Sequence, residues 1–88
     1  MQAIQTRFIG PTNFRGSRYK AFCDAGSLTV DADHRYNPSS NHALAAGDLA
    51  RKLGWHGNLV GGQLPSGDYA WVWTDHGCDS IEVPKAKE

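Results

Sequence analysis

"NHALAAGDLARKL", residues 41–53, is the one segment of the sequence with helical periodicity, and it decides the fold. At about 100° per residue, its apolar side chains and one histidine fall within a single arc. These residues are His42, Ala45, Ala46, Leu49, Ala50 and Leu53. Because this face is mostly alanine, we expect the helix to lie close against a sheet. Pro38 forbids an earlier start, so Ser39 or Ser40 is the expected N-cap and Gly54 the expected C-cap.

Alternation of apolar and polar residues predicts strands on both sides of this helix. The alternating segments before it are 3–9, 18–24 and 27–33, the last two joined as a hairpin at Ala25-Gly26. The segments after it are 58–64 and 69–73, with a short edge strand around Ile81–Val83. The Gly61-Gly62 pair predicts a bulge or a bend. The predicted order is β-β-β-α-β-β, an α+β fold with a single helix packed on a largely antiparallel sheet.

The composition sets the broad class of the protein. The length of 88 residues predicts a single domain over residues 1–88, and 40% hydrophobic residues are enough for its core. We expect the charged tail at about 84–88 to be frayed. We see neither a signal peptide nor an apolar run of membrane-spanning length, so we predict no membrane partner and a cytoplasmic location. In that compartment Cys23 and Cys78 stay thiols. Nine basic and nine acidic residues give a formal net charge of zero, which disfavours general nucleic-acid binding.

The segment "GPTNFRGSRYKAF", residues 10–22, carries most of the local positive charge. Arg7, Arg15, Arg18 and Lys20 all precede the first acidic residue of the chain. Backbone N–H groups of a Gly/Asn-rich turn, with arginines nearby, form a cradle for phosphate. The competing interpretation is structural, with Arg15 and Arg18 pinning the loop to Asp31, to Asp33 or to backbone carbonyls of the neighbouring strand. The segment matches no Walker or dinucleotide pattern. We favour the structural interpretation, because general nucleic-acid binders usually carry a clear positive excess.

The segment "YAWVW", residues 69–73, is the cleanest strand pattern, and Tyr69, Trp71 and Trp73 share one side of it. Exposed, this row would be a stacking platform for bases or a contact patch for a protein. Buried, it would be the wall against which the alanine-rich helix packs. We favour burial, because a domain of this size has few other large apolar side chains for its core.

Three polar parts of the sequence contain residue types that could act as metal ligands or nucleophiles. Residues 31–34, His42 and residues 75–79 contain Asp, His and Cys, among them His76 and Cys78. No pair has the spacing that is diagnostic of a metal site, and nothing supplies an oxyanion hole. We therefore predict turn chemistry, with no catalytic residue, no metal and no cofactor, and we expect His42 to be a semi-buried packing residue.

Four segments together resemble a family of small, mostly uncharacterised proteins encoded by bacteriophages, prophages and plasmids. They are the "GPTN-x-RGSR" element, the helix that ends in "KLGW", the "LVGG" strand and the aromatic strand "YAWVW". The resemblance covers about residues 3 to 73, and "GPTN-x-RGSR" is its most specific part. It implies an origin in a mobile genetic element and a compact single domain, and it brings no activity, cofactor or catalytic residue with it.

These observations predict a non-enzymatic accessory protein that binds a macromolecule. A host or phage protein is the preferred partner, with modulation of a host process or defence system implied by the resemblance, and Phe14, Arg15 and Leu44 are the candidate contacts. The alternative is a nucleic-acid-binding module, and its candidate contacts are Arg7, Arg15, Arg18 and Lys20. A weaker alternative is a metal-dependent hydrolase. An unpaired edge strand is compatible with a homodimer.

Overall fold

A computed structural model of the chain describes residues 2–74 and 81–83 and contains six strands and one helix. In chain order these are β1 (Ile4–Ile9), β2 (Arg18–Cys23), β3 (Gly26–Asp31), α1 (Pro38–Lys52), β4 (Gly57–Gln63), β5 (Tyr69–Thr74) and β6 (Ile81–Val83). The predicted α+β class and the predicted order are confirmed, with β6 as the short additional edge strand. The predicted frayed tail lies outside the described residues. Within them, no helix has the length and apolar character that a membrane crossing requires.

All six strands form one antiparallel sheet in the order β3-β2-β1-β5-β4-β6. The first strand lies at the centre and pairs with β2 on one side and β5 on the other. Strand β1 therefore joins two parts of the sheet. One is the meander β1–β2–β3, which precedes the helix in the chain, and the other is the hairpin β4–β5, which follows the helix.

Helix α1 packs on one face of this sheet, and the core lies between them. Ile4, Leu49 and Leu59 are the largest apolar side chains with almost no exposure. The predicted helix face is confirmed: His42, Leu49 and the alanines of the arc are buried. Since alanine has little volume, the helix backbone lies close to the sheet, and the large rings of β5 fill the space beside it.

The helix begins before the predicted serine caps, at Pro38, so both serines lie inside its first turn. Its N-cap is Asn37, whose Oδ1 accepts a hydrogen bond from the backbone N–H of Ser40 at 2.8 Å. Pro38 occupies the first helical position. The prediction of Ser39 or Ser40 was wrong because proline is well suited to this position, where its missing N–H would have no intrahelical partner.

At the other end, Gly54 allows the chain to leave the helix in a Schellman motif, as predicted for a C-terminal glycine. Its φ is 76°, in the left-handed region that favours glycine. The backbone N–H of Trp55 donates to the carbonyl of Ala50, and that of Gly54 to the carbonyl of Arg51. The last carbonyls of the helix therefore have partners.

The predicted bulge or bend at Gly61-Gly62 is wrong. Strands β4 and β5 pair without interruption from Asn58↔Thr74 to Gln63↔Tyr69. A Cβ atom at Gly61 would lie only 2.4 Å from the ring of Trp71, its partner across the pair. The glycine is therefore explained by the close approach of that ring, because only hydrogen fits beneath it.

Candidate functional site

Within the part of the chain that the structure describes, no helix covers the second face of the sheet, and the centre of this face carries three of the four early cations. In the pairing of β1 with β2, Arg7 lies opposite Lys20, and Ile9 lies opposite Arg18. Since side chains alternate across a strand, these cations share the helix-free side with Phe22. We call Arg7, Arg18, Lys20 and Phe22 the basic patch.

Two cations of the basic patch lie beside its aromatic ring. The guanidinium carbon of Arg7 is 5.3 Å from the centroid of Phe22, and Nζ of Lys20 is 5.7 Å from it. Both distances are within the range of a cation–π contact. The half-buried ring is thus held in place between positive charges, on a face open to solvent.

Asp68 orders one side of the basic patch. Its Oδ2 accepts hydrogen bonds from Nε of Arg7 at 3.0 Å and from Nε2 of Gln5 at 2.8 Å. The carboxylate side chain is only 11% exposed, so it fixes both partners and neutralises the charge of Arg7. Arg7 is therefore a positioned side chain rather than a free cation.

Arg18 and Lys20 are different, because neither forms an ion pair with any residue that the structure describes. Nε of Arg18 is also buried without a hydrogen-bonding partner. A buried guanidinium N–H without an acceptor is unfavourable until an acceptor arrives. Arg18 and Lys20 are therefore the cations of the basic patch that no described salt bridge neutralises, and the nearest carboxylate in the sheet register is that of Asp31, opposite Arg18.

A shallow depression of about 440 Å³ lies next to Phe22 on the same region of the sheet. Gln2, Gln5, Asp24 and Ala70 contribute to its lining. Glutamine amides donate and accept hydrogen bonds, so this depression can hold a flat polar group against the phenyl ring.

The loop between β1 and β2 is ordered by its own turn and not by the aspartates. Oγ1 of Thr12 accepts hydrogen bonds from the backbone N–H groups of Phe14 (3.3 Å) and Arg15 (3.1 Å). Phe14 is 95% exposed, and Arg15 is exposed as well. The side chain of Asp33 binds Arg35 at 2.8 Å instead. The predicted ion pairs of Arg15 and Arg18 with Asp31 or Asp33 are absent among the described residues, and Arg35, two residues from Asp33, takes the Asp33 carboxylate instead.

The local pair also controls the charge of Asp33. Hydrogen bonds from the side chain and backbone of Arg35 lower the pKa of that carboxyl to about 2. Asp33 therefore remains ionised throughout the neutral range, and its charge is already matched by a cation.

The aromatic row of β5 lies on the helix side of the sheet, as predicted. Trp71 is buried, while Tyr69 and Trp73 are half-buried. Nε1 of Trp71 donates to Oγ1 of Thr6 at 3.0 Å. This row is part of the core wall, so the aromatic ring available on the open face is Phe22.

The other predicted candidates are dispersed. Leu44 is 46% exposed on the outer side of α1 and lines a groove of about 340 Å³ with Tyr36 and Ile81. His42 is more buried than predicted, at 3% exposure. Among the described residues, no three of His, Cys, Asp or Glu come together as metal ligands. His76 and Cys78 lie outside the described residues.

Sequence reasoning missed Phe22, Gln5 and Asp68 as members of this surface. A signal for Phe22 was present, because the alternation of residues 18–24 places it on the same side as Arg18 and Lys20. No local pattern indicates Asp68, because it is 61 residues from Arg7 in the chain.

Comparisons with protein-family models, with curated proteins and with solved structures found no match to this chain. The chemistry of the open face is therefore the basis for the function proposed below.

Proposed function

We propose that this protein is a non-enzymatic module that binds single-stranded nucleic acid on the open face of its sheet. The observation that carries the proposal is that Arg18 and Lys20, neither in an ion pair with a described residue, lie on the same side of β2 as Phe22, with Nζ of Lys20 5.7 Å from the centroid of that ring. A mobile-element origin and a cytoplasmic location are parts of the same proposal and rest on the sequence.

The distribution of charge explains how a neutral chain can attract phosphate. Three described aspartates are held by arginines: Asp33 by Arg35, Asp48 by Arg51 and Asp68 by Arg7. Of these three, Asp68 lies on the open face, where Arg7 offsets its charge. Asp31, which lies opposite Arg18 in the pairing of β2 with β3, and Asp24 form no ion pair with a described residue. Arg18 and Lys20 then act as local phosphate contacts, and local charge rather than net charge determines binding at such short range.

The aromatic ring favours a single strand over a duplex. A base of a single strand has a free face that can stack on Phe22, and such stacking contributes about 1–3 kcal/mol per base. The amides of Gln2 and Gln5 beside the ring can bond base edges. In a duplex the base faces are covered by their neighbours, so only the phosphates remain available to the cations.

The test is a fluorescence-anisotropy titration of labelled single-stranded DNA, single-stranded RNA and duplex DNA at about 50 and 200 mM salt. The Arg18→Gln/Lys20→Gln double variant is compared with Arg51→Gln/Lys52→Gln, which removes the same charge from the end of α1. If Arg18 and Lys20 each contact one phosphate of a single strand, the plot of log association constant against log salt concentration is less steep in the first variant than in the wild type, by about 1.4. The wild type then loses about sevenfold more affinity than the first variant across this range. Equal effects of both variants, or no binding at either salt, would contradict the proposal.

A second candidate, binding of a host or phage protein, is favoured by the groove beside Leu44. Leu44 and Tyr36 are 46% and 48% exposed at its walls, and the exposed Phe14 of the first loop is a further apolar contact. Leu44→Asp should then abolish capture of the partner, whereas Val72→Asp should not, because Val72 has a similar exposure (48%) on the opposite face. Equal capture by both variants would remove this candidate. No described residue favours the metal-dependent hydrolase.

A further inference from the structure

A buried histidine lies between two tyrosine rings near the N-terminus of α1. The ring of His42 is 4.4 Å from that of Tyr69, tilted by 35°, and 4.8 Å from that of Tyr19, edge-on. Its exposure is 3%. The histidine is thus fixed in orientation by rings on both sides.

The hydrogen bonds behind the ring determine its tautomer. Nε1 of Trp71, which can only donate, bonds Oγ1 of Thr6 at 3.0 Å. The same oxygen is 2.7 Å from Nδ1 of His42. Thr6 has no other acceptor among the described residues, so its hydroxyl donates to Nδ1 and the ring proton lies on Nε2. Burial lowers the pKa of His42, which keeps the imidazole neutral near pH 7.

The ring faces a cavity that has an aromatic wall and no charged lining. The cavity has a volume of about 270 Å³, and Phe8, Tyr19, Pro38, Gln63 and Tyr69 line it together with His42. Phe8 is 49% exposed and lies against Tyr19, with ring centroids 5.3 Å apart, at the side open to solvent. Nε2 of His42 has no hydrogen-bonding partner in the described part of the chain.

We propose that this cavity binds a neutral planar heterocycle of the nucleobase type, which accepts a hydrogen bond from Nε2 of His42. The absence of charge in the lining disfavours an ion, since a buried charge requires a partner. The tyrosine and phenylalanine rings favour a flat ligand that can stack. The volume is just below the range of about 300–1,000 Å³ typical of drug-sized ligands, which limits the ligand to one or two fused rings.

This site is distinct from the basic patch, because it lies on the helix side of the sheet. The inference does not rest on the proposed function. The heterocycle can be a free base or a base of a nucleic-acid strand, and the two sources are separated by the probes of the test.

The test is a ¹H–¹⁵N NMR titration that observes the imidazole nitrogens of His42. The probes are adenine, uracil, a short adenine homopolymer and indole, which is planar but has neither a pyridine-type nitrogen nor a carbonyl oxygen to accept a hydrogen bond. We expect an Nε2–H tautomer at pH 7 and a shift of Nε2 with adenine or uracil but not with indole. A shift with the free base alone identifies a free ligand, and a shift also with the homopolymer identifies a base within a strand.

Phe8→Ala removes one wall of the cavity and leaves the hydrogen bonds among His42, Thr6 and Trp71 in place. Phe14→Ala is the control, because this phenylalanine is exposed and does not line the cavity. We expect Phe8→Ala to weaken base binding about tenfold and Phe14→Ala to leave it unchanged. An Nδ1–H tautomer or an imidazolium at pH 7 would overturn the inference. So would equal shifts with indole, an unchanged affinity in Phe8→Ala, or no shift at about 10 mM base, well above a 1 mM dissociation constant.

Discussion

Replacement of Gly61 by alanine tests the packing that joins the two halves of the sheet. An added Cβ would lie 2.4, 2.5 and 2.6 Å from three ring atoms of Trp71. Ordinary contact begins near 3.4 Å, so the ring must retreat by about 1 Å. Trp71 cannot do so freely, because it is 7% exposed and its Nε1 is bonded to Thr6.

The expected loss of stability combines two effects. Overpacking of a core costs about 1–3 kcal/mol, and the strained Trp71–Thr6 hydrogen bond contributes about 0.5–1.5 kcal/mol more. Alanine also restricts the unfolded chain more than glycine does, which offsets about 0.4–1 kcal/mol of this loss of stability. Taking the middle of each range, we expect Gly61→Ala to lower the free energy of unfolding by about 2–3 kcal/mol. For a domain of this size that corresponds to a melting temperature lower by about 8–24 °C.

Thermal unfolding followed by circular dichroism measures this shift, and the neighbouring glycine provides the control. A Cβ at Gly62 meets nothing within 4 Å, so Gly62→Ala should be neutral or slightly stabilising. Trp71→Leu should recover part of the loss in the Gly61→Ala background, with an interaction energy of about 1 kcal/mol or more. A Gly61→Ala melting temperature within about 3 °C of the wild type, or fully additive effects, would refute the reasoning.

Three other changes have defined outcomes. Asp68→Asn should lower stability by about 1–2 kcal/mol in urea unfolding, because the hydrogen bonds to Arg7 and Gln5 lose a charged acceptor, and should raise affinity for single strands in anisotropy. Asn37→Ala should cost about 1 kcal/mol as loss of the N-cap, whereas Ser39→Ala should cost clearly less. The pKa of His42 is lower in the folded chain than in the unfolded chain, so the unfolded chain binds the proton first as the pH falls. The urea midpoint should therefore decrease as the pH drops from about 7 to 5. A midpoint that does not change with pH would contradict a neutral buried ring.

The architecture was predictable from the sequence because its signals are local. Alternation in residues 18–24 and the alanine arc of residues 41–53 are set by the period of each element, and both are confirmed. The prediction failed at Gly61, where the reason for the glycine is the ring of Trp71 on another strand. The predicted serine N-cap is wrong because proline, which interrupts the interior of a helix, is well accommodated as its first residue, so Pro38 begins the helix and Asn37 caps it.

The candidate site was only half predictable for the same reason. Arg18, Lys20 and Phe22 share a side through local alternation, but Arg7 joins them only through the pairing of β1 with β2. Asp68 reaches Arg7 through the pairing of β1 with β5, which no local pattern indicates. The predicted contact of the first loop with Asp33 failed because the nearer Arg35 competes for that carboxylate.

The most direct test of nucleic-acid binding is an NMR titration with a short single-stranded oligonucleotide that observes the arginine Nε–H signals. Arg18 is the decisive probe, because its Nε is buried without a partner, and Arg51 on α1 is the internal reference. We predict a saturable shift of the Arg18 signal, weakened by salt, while that of Arg51 stays in place. A shift at Arg51 without one at Arg18, or no shift at either, would contradict binding on the open face of the sheet.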